Sequence, residues 1–513
     1  MTLFTLRPLL SLKKWIDSIK PVHVWIGFIV GSAILFLRQY LYCRSLWVDE
    51  ANLANNIVSR SFSGLLNPLD CNQAAPIGFL FLSKLFTLIF GTSEYTLRLS
   101  PLLAAFFSVF LFYIMTQSFL TPWMRIVAVS LIAVNSQLIR YANEFKQYSF
   151  DVLATVIIYI LADLHLRDRI RTWQFALSGA ILIWFSHPSV FVLTGIGTCL
   201  MISSLMKKEW GRFNKLCIGI GSWLVSLTLL YMLSLKGIRD TPYFQNPGLW
   251  KNGFIPFPWH SLNDLAWINN TFMMLLKMCI KELKEPSFYG RLIHIVMTGA
   301  FFAGCIGLLI TDRPKLCLLL SPLLVALLAS VLRLYPFFYR LILFLLPVTL
   351  IIMVSGLHFL IMKYKMIPLV IKIAVWILVI YLPFKEQWAA FRAPSECEEI
   401  RPVMEKIHDQ WQKEDLIYVY YASESSFEYY LPRFRFPSRN IIQGTRSREN
   451  PDHYIREIEK LKGHPRVWLI FSHDYRGKQG SERKLIIKTM KEWGTPLDEF
   501  KVIGACYYLF DLT

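Results

Sequence analysis

The chain reads Leu46-Trp47-Val48-Asp49-Glu50-Ala51-Asn52-Leu53 directly after its first apolar stretch of membrane length, which begins at about Val22. Two adjacent carboxylates therefore stand at a predicted membrane surface, where charge without a purpose is disfavoured. Asp49 and Glu50 are for this reason the first place where we expect chemistry.

The composition indicates an integral membrane protein. Of the 513 residues, 55% are hydrophobic and 15% are aromatic, and the mean hydropathy of +0.43 exceeds that of ordinary soluble domains. Apolar stretches close to the roughly 20 residues that cross a bilayer predict about eleven spans. These spans begin near Val22, Tyr95, Arg125, Ser149, Trp173, Pro188, Leu216, Arg291, Leu316, Phe338 and Met366.

Alternate loops are basic, and this pattern gives the orientation because Lys and Arg accumulate on the cytoplasmic side. The basic loops contain Lys13, Lys14, Lys20, Arg125, Arg167, Arg169, Arg171, Lys207, Lys208, Arg212, Lys215, Arg313, Lys315, Lys363 and Lys365. Because the N-terminus is predicted to lie inside and the number of spans is odd, four segments are predicted to lie outside: the Asp49-Glu50 loop, the 141–148 loop, the 236–289 loop and the tail. Basic loops beside anionic lipid explain much of the net charge of +19. A nucleic-acid partner is therefore not expected.

Two apolar segments are predicted to be interfacial helices. The stretch from Pro76 to Phe90 is short for a span, and counting it as one would reverse the parity of every later loop. Leu265 to Leu283 carries an apolar stripe at helical spacing within the long outer loop. This second helix either packs on the bundle or forms one wall of a groove for a lipid tail.

The tail changes character and predicts a small α/β domain, so that residues 1–384 form a transmembrane domain and residues 385–513 an extracytoplasmic one. Strand-like runs at 415–421, 467–471 and 502–510 alternate with helical patterns at 402–411, 451–461 and 482–493. No glycine-rich phosphate loop is found in it. The domain is either a structural cap or a part of acceptor recognition.

The nine cysteines do not form a zinc motif, because no Cys-x-x-Cys pair occurs. Cys43 with Cys71, or Cys397 with Cys506, would be placed to form a disulfide on an oxidising side, but free thiols are expected. The sequence identifies no cofactor. The carboxylates Asp49, Glu50 and Glu144 would nevertheless suit a divalent cation.

Asp49 has two interpretations. It is either the N-cap of the helix that follows, with Glu50 favourably placed in the first turn, or a general base that accepts a proton from a nucleophile. Glu144 stands in the outer loop Arg140-Tyr141-Ala142-Asn143-Glu144-Phe145-Lys146-Gln147-Tyr148. This loop is either a solvated, self-paired loop or a substrate site. In the second case Glu144 orients an acceptor or assists Asp49, and Arg140 or Lys146 meets an anionic group. Tyr148 either belongs to this substrate site or marks the membrane interface.

His187 and Arg340 complete the candidate residues of the outer face. His187 precedes a proline between two predicted spans, where it is either structural or a proton-transfer group. Arg340 follows Tyr339 just inside an apolar run, a position that suits a lipid-linked phosphate as well as snorkelling to headgroups. Tyr339 is included among the substrate-binding candidates.

The membrane part, from about Val22 to Pro383, resembles the GT-C class of membrane glycosyltransferases. Within this class it resembles particularly the bacterial relatives of protein O-mannosyltransferases and of the lipid A aminoarabinose transferase. The resemblance rests on Trp47-Val48-Asp49-Glu50, Gln73-Ala74-Ala75-Pro76-Ile77-Gly78-Phe79-Leu80 and Phe90-Gly91-Thr92-Ser93-Glu94-Tyr95-Thr96-Leu97-Arg98-Leu99. It implies a GT-C-like fold in a bacterial inner membrane, with the site and the tail on the periplasmic side.

The resemblance also implies a reaction. A polyprenyl-phosphate sugar would be the donor, a lipid, glycan or protein the acceptor, and the anomeric carbon would invert. Asp49 would be the general base with Glu50 beside it, while Glu144, His187 and Arg340 would bind acceptor or donor. Several relatives carry a lysine before the proline that Pro76 matches; this chain has Gln73-Ala74-Ala75, and Lys84 is the substitute considered.

Two other classes of protein stay open. A transporter or flippase of lipid-linked sugars would use outer carboxylates without breaking a bond, but would place ionisable residues near mid-span and show paired repeats. A non-catalytic assembly subunit would not need Asp49 and Glu50. Sugar transfer that depends on Asp49 separates the enzyme from both.

Overall fold

The computed structural model describes residues 21–241, 243, 253–259, 261–279, 288–363, 369–394, 396–448, 450–477 and 480–513. The chain divides into two compact units, which are treated separately below. The membrane unit comprises Met1–Tyr40, Ala74–Leu82 and Arg98–Ala393. The tail unit comprises Leu41–Gln73, Ser83–Leu97 and Pro394–Thr513, so that it includes the Asp49-Glu50 segment together with the tail.

Eight helices of the described residues are long and apolar enough to cross a membrane, which confirms a polytopic helical protein. They are His23–Tyr42, Glu94–Thr116, Tyr148–Leu166, Ser189–Met206, Trp210–Arg239, His294–Thr311, Arg313–Val331 and Tyr339–Leu360. Trp210–Arg239 contains a π-helical turn at Tyr231–Leu235. The last begins with a 3-10 segment, Tyr339–Leu345, before the α-helix Leu346–Lys363.

The remaining predicted spans take other forms. The stretch predicted from Arg125 is a broken pair, Pro122–Ala133 and Ser136–Ala142, bent by 52°. Asn135 causes the break, because its side chain caps the second helix by accepting from the Leu138 amide. The stretch predicted from Trp173 is the 14-residue helix Thr172–Phe185, and that predicted from Met366 is the helix Leu369–Arg392.

Both segments predicted as interfacial helices are helical, at Ile77–Phe90 and Leu262–Cys279. Their place at a membrane interface stays a prediction.

Small residues allow two membrane helices to touch. A side chain added at Gly304 would lie 2.0 Å from the Ile352 carbonyl oxygen, and one added at Gly356 would lie 1.8 Å from that of Ala300. The helices Phe288–Thr311 and Leu346–Lys363 therefore cross with their backbones in contact.

The tail unit contains a five-stranded sheet in the order β2-β1-β3-β7-β6. Its strands are β1 Leu416–Val419, β2 Ile441–Gln443, β3 Val467–Ser472, β6 Thr495–Val502 and β7 Ala505–Asp511, and a small hairpin adds β4 Arg476–Gly477 and β5 Gly480–Ser481. β1 pairs in parallel with β2 and β3, whereas β7 pairs antiparallel with β3 and β6. The predicted α/β domain is confirmed.

Apolar clusters cover both faces of this sheet. Along β1, Ile417 and Val419 join one cluster and Tyr418 joins the other, as the two-residue period of a strand requires. The helices of the unit are Val48–Ser59, Ile400–Asp409, Glu424–Phe434, Pro451–Glu459 and Glu482–Trp493. Short 3-10 turns lie at Gly64–Leu66, Asp70–Asn72, Tyr421–Ser423 and Ser438–Asn440.

One predicted strand was wrong in extent. The run from 502 to 510 crosses the turn between β6 and β7, where Gly504 has a φ of +73°. Because glycine adopts that backbone conformation readily, the chain reverses there and forms two antiparallel strands.

Candidate active site

Asp49 and Glu50 lie in the first turn of the Val48–Ser59 helix but in different surroundings. The N-cap residue is Trp47, which provides no side-chain cap, so the interpretation of Asp49 as the N-cap was wrong. Asp49 is partly exposed. Glu50 is fully buried and forms an ion pair with Arg44 at 3.4 Å between Oε2 and Nη2. The burial and pairing give Glu50 a structural role, whereas Asp49 keeps access to solvent.

The segment before this helix, residues 43–48, is bound by the tail through its own backbone, and we call it the clamped segment. Three of its amides donate to tail side chains at 2.9 Å: Ser45 to Glu399, Leu46 to the Tyr430 hydroxyl and Val48 to Glu398. Arg401 donates to the Cys43 carbonyl oxygen at 2.8 Å. The tail thereby fixes the backbone that leads into Asp49.

Glu94, in the 90–99 segment that carries the family resemblance, supports the tail residues that bind the clamped segment. Glu94 accepts from Arg401 at 2.5 Å and from the Tyr430 hydroxyl at 3.1 Å. Arg401 and Tyr430, which both bind the clamped segment, are thus both hydrogen-bonded to the buried carboxylate of Glu94.

Glu398 connects the clamp to His473. One carboxylate oxygen accepts from the Val48 amide, and the other accepts from His473 Nδ1 at 2.6 Å. This hydrogen bond raises the pKa of His473 above its usual 6.5, and the negative charge of Asp49 raises it further, while Arg448 opposes the shift. Asp49 therefore lies within electrostatic range of an imidazole that Glu398 orients.

The raised pKa of His473 predicts a pH-dependent stability. A group whose pKa is higher in the folded state stabilises the fold fully below its unfolded pKa, and this contribution is lost as the pH rises through the folded pKa. We expect the unfolding temperature of the wild type to exceed that of His473→Gln most below pH 6.5, and the two to converge only as the pH rises through the higher pKa of the folded state. Intrinsic fluorescence of the full chain in detergent measures both, with the exposed His408→Gln as control. A difference that stays constant with pH would contradict the expectation.

Lys84 has a local role. Its Nζ donates to the carbonyl oxygens of Ile57 at 2.8 Å and Val58 at 3.3 Å, which lie in the last turn of the Val48–Ser59 helix. A lysine at this position stabilises the helix end. Contact with a donor phosphate stays a prediction for Lys84.

The 141–148 loop of the membrane unit is buried, so the interpretation of a solvated loop was wrong. Glu144 is fully buried, Lys146 is 6% exposed and Tyr148 is 5% exposed. Arg140 pairs with Glu144 at 3.3 Å between Nε and Oε2, so that part of the loop is self-paired as considered. Burying these polar groups costs free energy, because each of them loses its hydration. Such a cost indicates that the loop serves a function.

Arg340 joins this loop. Its guanidinium lies over the Tyr148 ring, 5.5 Å from the centroid, and the Tyr141 and Tyr148 rings contact each other at 4.9 Å. Tyr339 is 63% exposed beside it. The structure thus brings Tyr148 and Arg340 together across 192 positions of the sequence.

His187 lies in the turn between Thr172–Phe185 and Ser189–Met206. Its Nε2 is enclosed and makes no hydrogen bond among the described residues. Burial lowers the pKa of His187 to about 4, so the ring is neutral near pH 7. Phe185, two residues earlier, stacks on Phe150 at 6.3 Å, which places the His187 turn beside the start of the Tyr148–Leu166 helix.

Asp151 was not among the predicted site residues. It is 3% exposed in the first turn of the Tyr148–Leu166 helix, with Ser186 beside its carboxyl group. The available signal was an acidic residue within a predicted span, which usually marks function. Gln147 Oε1 and Ser149 Oγ, in the same region, are buried without a hydrogen-bond partner among the described residues.

The metal and cysteine predictions have mixed outcomes. Within the described ranges no three His, Cys, Asp or Glu side chains converge as a metal site would need, and a divalent cation at Asp49, Glu50 or Glu144 stays a prediction. Among the described residues, which include all nine cysteines, no two cysteines are joined by a disulfide.

Comparison with known proteins identifies the fold. No family model matches the chain, and no curated protein matches it in sequence. The crystal structure of ArnT from Cupriavidus metallidurans bound to undecaprenyl phosphate superposes with a TM-score of 0.56 at 12% identity, over 94% of this chain and 98% of ArnT. The apo structure of that ArnT gives 0.56 at 11% identity, over 96% and 98%. The chain therefore has the fold of ArnT, a lipid A aminoarabinose transferase of the GT-C class, as the resemblance in its sequence predicted.

Proposed function

We propose that this protein is a membrane glycosyltransferase that transfers a sugar from a polyprenyl-phosphate donor to an acceptor, with Asp49 as the general base. The observation that carries the proposal is the contrast between the two adjacent carboxylates. Glu50 is buried in an ion pair, whereas Asp49 keeps solvent access on a backbone that the tail holds in place. A positioned, accessible carboxylate is what proton abstraction requires.

The proposed reaction is a single displacement. The acceptor hydroxyl or amine gives its proton to the Asp49 carboxylate and forms a bond to the anomeric carbon. The bond between that carbon and the phosphate oxygen breaks, and the polyprenyl phosphate leaves with the electron pair. Attack opposite the leaving group inverts the anomeric carbon, and a nearby cation stabilises the charge that develops on the phosphate.

The buried loop of the membrane unit supplies the binding groups in this proposal. Arg340, oriented by the Tyr148 ring, and Lys146 meet the donor phosphate. Glu144 orients the acceptor, and we add Asp151 to this role. Gln147, Ser149 and the neutral His187 each hold a buried polar atom that has no hydrogen-bond partner in the part of the chain that the structure describes, and a sugar rich in hydroxyl groups would satisfy such atoms.

The fold and the loop charges support a proposal for the location and the partners. ArnT was crystallised with undecaprenyl phosphate, and we propose a lipid phosphate of this class as the carrier here. The protein would lie in the inner membrane of a bacterium with Asp49 and the tail on the periplasmic side. The acceptor would be a lipid, a glycan or a protein.

Sugar transfer by the purified full chain tests the proposal. The protein is incubated with a panel of undecaprenyl-phosphate sugars and membrane extract, and transferred sugar is measured beside movement of intact donor across vesicles. Transfer of sugar supports the enzyme. Movement of intact donor without bond cleavage would replace the proposal with a flippase.

A variant of Arg340 tests the donor site separately. We expect Arg340→Gln to raise the KM for the donor about 10- to 100-fold, because a hydrogen bond to a charged group contributes about 1.5–3 kcal/mol. Arg333→Gln, an exposed arginine of the same connection, is the control and should leave KM unchanged. Steady-state kinetics in donor concentration measure both, and equal KM values would exclude Arg340 from the phosphate site.

A further inference from the structure

A second polar site lies at the far end of the Tyr148–Leu166 helix from Tyr148. A cavity of about 940 Å³ opens between the end of this helix, the start of Thr172–Phe185 and the first turns of Trp210–Leu230. His165 lines it, and 17 residues of helix place it about 26 Å from the Tyr148 loop. It is therefore separate from the residues to which the proposed chemistry is assigned in the membrane unit.

The mouth of the cavity is basic. Arg171, Arg212 and Lys215 line it together with a single carboxylate, Asp168. Arg212 is anchored, because it pairs with Asp168 at 3.5 Å and donates to the His165 carbonyl oxygen at 2.7 Å. Arg212 also pairs with Glu209 at 3.7 Å, so three cations and two carboxylates leave one excess positive charge, which suits an anion.

The first turn of the Thr172–Phe185 helix also faces the cavity. Thr172 and Trp173 line it. The Gln174 and Phe175 amides already donate to the Arg171 carbonyl oxygen at 3.0 and 3.3 Å, which leaves the Thr172 and Trp173 amides of the first turn for a ligand. Such amides, with the helix dipole, favour phosphate groups. Helix and cations thus converge on the same space.

His165 provides an independent indication of a ligand. It is only 3% exposed, and neither ring nitrogen makes a hydrogen bond of ordinary geometry among the described residues. Its ring stacks on Phe175 at 5.6 Å with the planes 7° apart, which fixes its orientation. The Ile170 backbone makes a weak contact with this imidazole, and the remaining hydrogen-bonding capacity of a buried ring is disfavoured unless a ligand completes it.

The walls of the cavity identify the kind of molecule that carries the anion. Trp173 is 59% exposed, Leu177 is 53% exposed and Ile218 is 76% exposed, and all three line the cavity. Large apolar side chains exposed on a membrane helix face acyl chains. Basic pockets between membrane helices bind the headgroups of anionic lipids.

We propose that this cavity binds the phosphate headgroup of an anionic membrane phospholipid. Arg171, Lys215 and the first turn of the Thr172–Phe185 helix hold the phosphate, His165 contributes a hydrogen bond, and the apolar walls contact the acyl chains. The proposal does not depend on the proposed sugar transfer, because its residues and its ligand are different.

Native mass spectrometry of the delipidated full chain tests the proposal with phosphatidylglycerol as the probe. We expect the double variant Arg171→Gln, Lys215→Gln to weaken binding about 10- to 30-fold, since each cation near a lipid surface contributes about 1 kcal/mol. The double variant Arg169→Gln, Lys207→Gln removes the same charge outside the cavity and should bind as the wild type does. Equal weakening by both variants, or equal binding of phosphatidylcholine, would overturn the proposal.

Two further measurements keep the result interpretable. His165→Phe preserves the stacking on Phe175 and removes both nitrogens, so we expect weaker binding of phosphatidylglycerol without a lower unfolding temperature. Inorganic phosphate at millimolar concentration should leave the lipid bound. Displacement of the lipid by inorganic phosphate would show a site for free phosphate and overturn the lipid assignment.

Discussion

Replacing Asp49 with asparagine is expected to lower the rate of sugar transfer about 10²- to 10⁴-fold, the range that general base catalysis contributes. Asparagine keeps the size of the side chain and its place in the first turn of the helix but cannot accept the proton. The KM for the donor should change little, because Asp49 acts on the acceptor. Initial rates at saturating donor, with equal amounts of folded protein, measure the effect.

Glu50→Gln is the matched control for Asp49→Asn. It changes the neighbouring carboxylate in the same way but removes the ion pair that the fully buried Glu50 forms with Arg44. We therefore expect a lower unfolding temperature for Glu50→Gln and an unchanged one for Asp49→Asn. Transfer that survives in Asp49→Asn would remove Asp49 from the role of base.

Glu398→Ala is expected to lower kcat about 100-fold, although Glu398 belongs to the tail. It removes the acceptor of the Val48 amide and the partner of His473 at once. A shift of about 1 Å in a catalytic group lowers the rate by about this factor. Initial rates measured over a range of donor concentrations should show a lower kcat with little change in KM.

Conservative replacement separates positioning from simple folding. Glu398→Gln keeps a carbonyl oxygen for the Val48 amide, so we expect it to recover most of the activity and to lose the pH response of His473. Glu405→Ala, a half-exposed glutamate of the same region, should resemble the wild type. If Glu398→Ala and Glu405→Ala transferred sugar equally well, the clamp would have no part in catalysis.

Much of the fold follows from patterns that act locally. Apolar length and basic loops predict the membrane helices, and strand-like runs predict the sheet of the tail. The breaks do not follow from length: Asn135 ends one helix by capping the next, and Gly504 turns one run into two strands. Both depend on a single residue inside an apolar segment, which an average over a window conceals.

The site was predicted less completely, because burial decides which of its residues are available. The resemblance in the sequence implied Asp49 as the base with Glu50 beside it, but only the structure shows that Glu50 is the buried one of the two, in an ion pair with Arg44. Asp151 was missed because one carboxylate hardly alters the hydropathy of a span. The contacts of Glu398, Glu399 and Tyr430 with the clamped segment join positions at least 350 residues apart, which no local pattern reveals.

That separation along the chain orders events during biosynthesis. A ribosome adds about 5–20 residues per second, so roughly 20–70 s pass between translation of the clamped segment and translation of its partners. Throughout this interval Val48 lacks Glu398, and Asp49 lacks the backbone support described above. A chain that ends before Tyr430 would therefore lack these contacts, and under the proposed function Asp49 would be positioned as a base only after the tail residues that bind its backbone had been made.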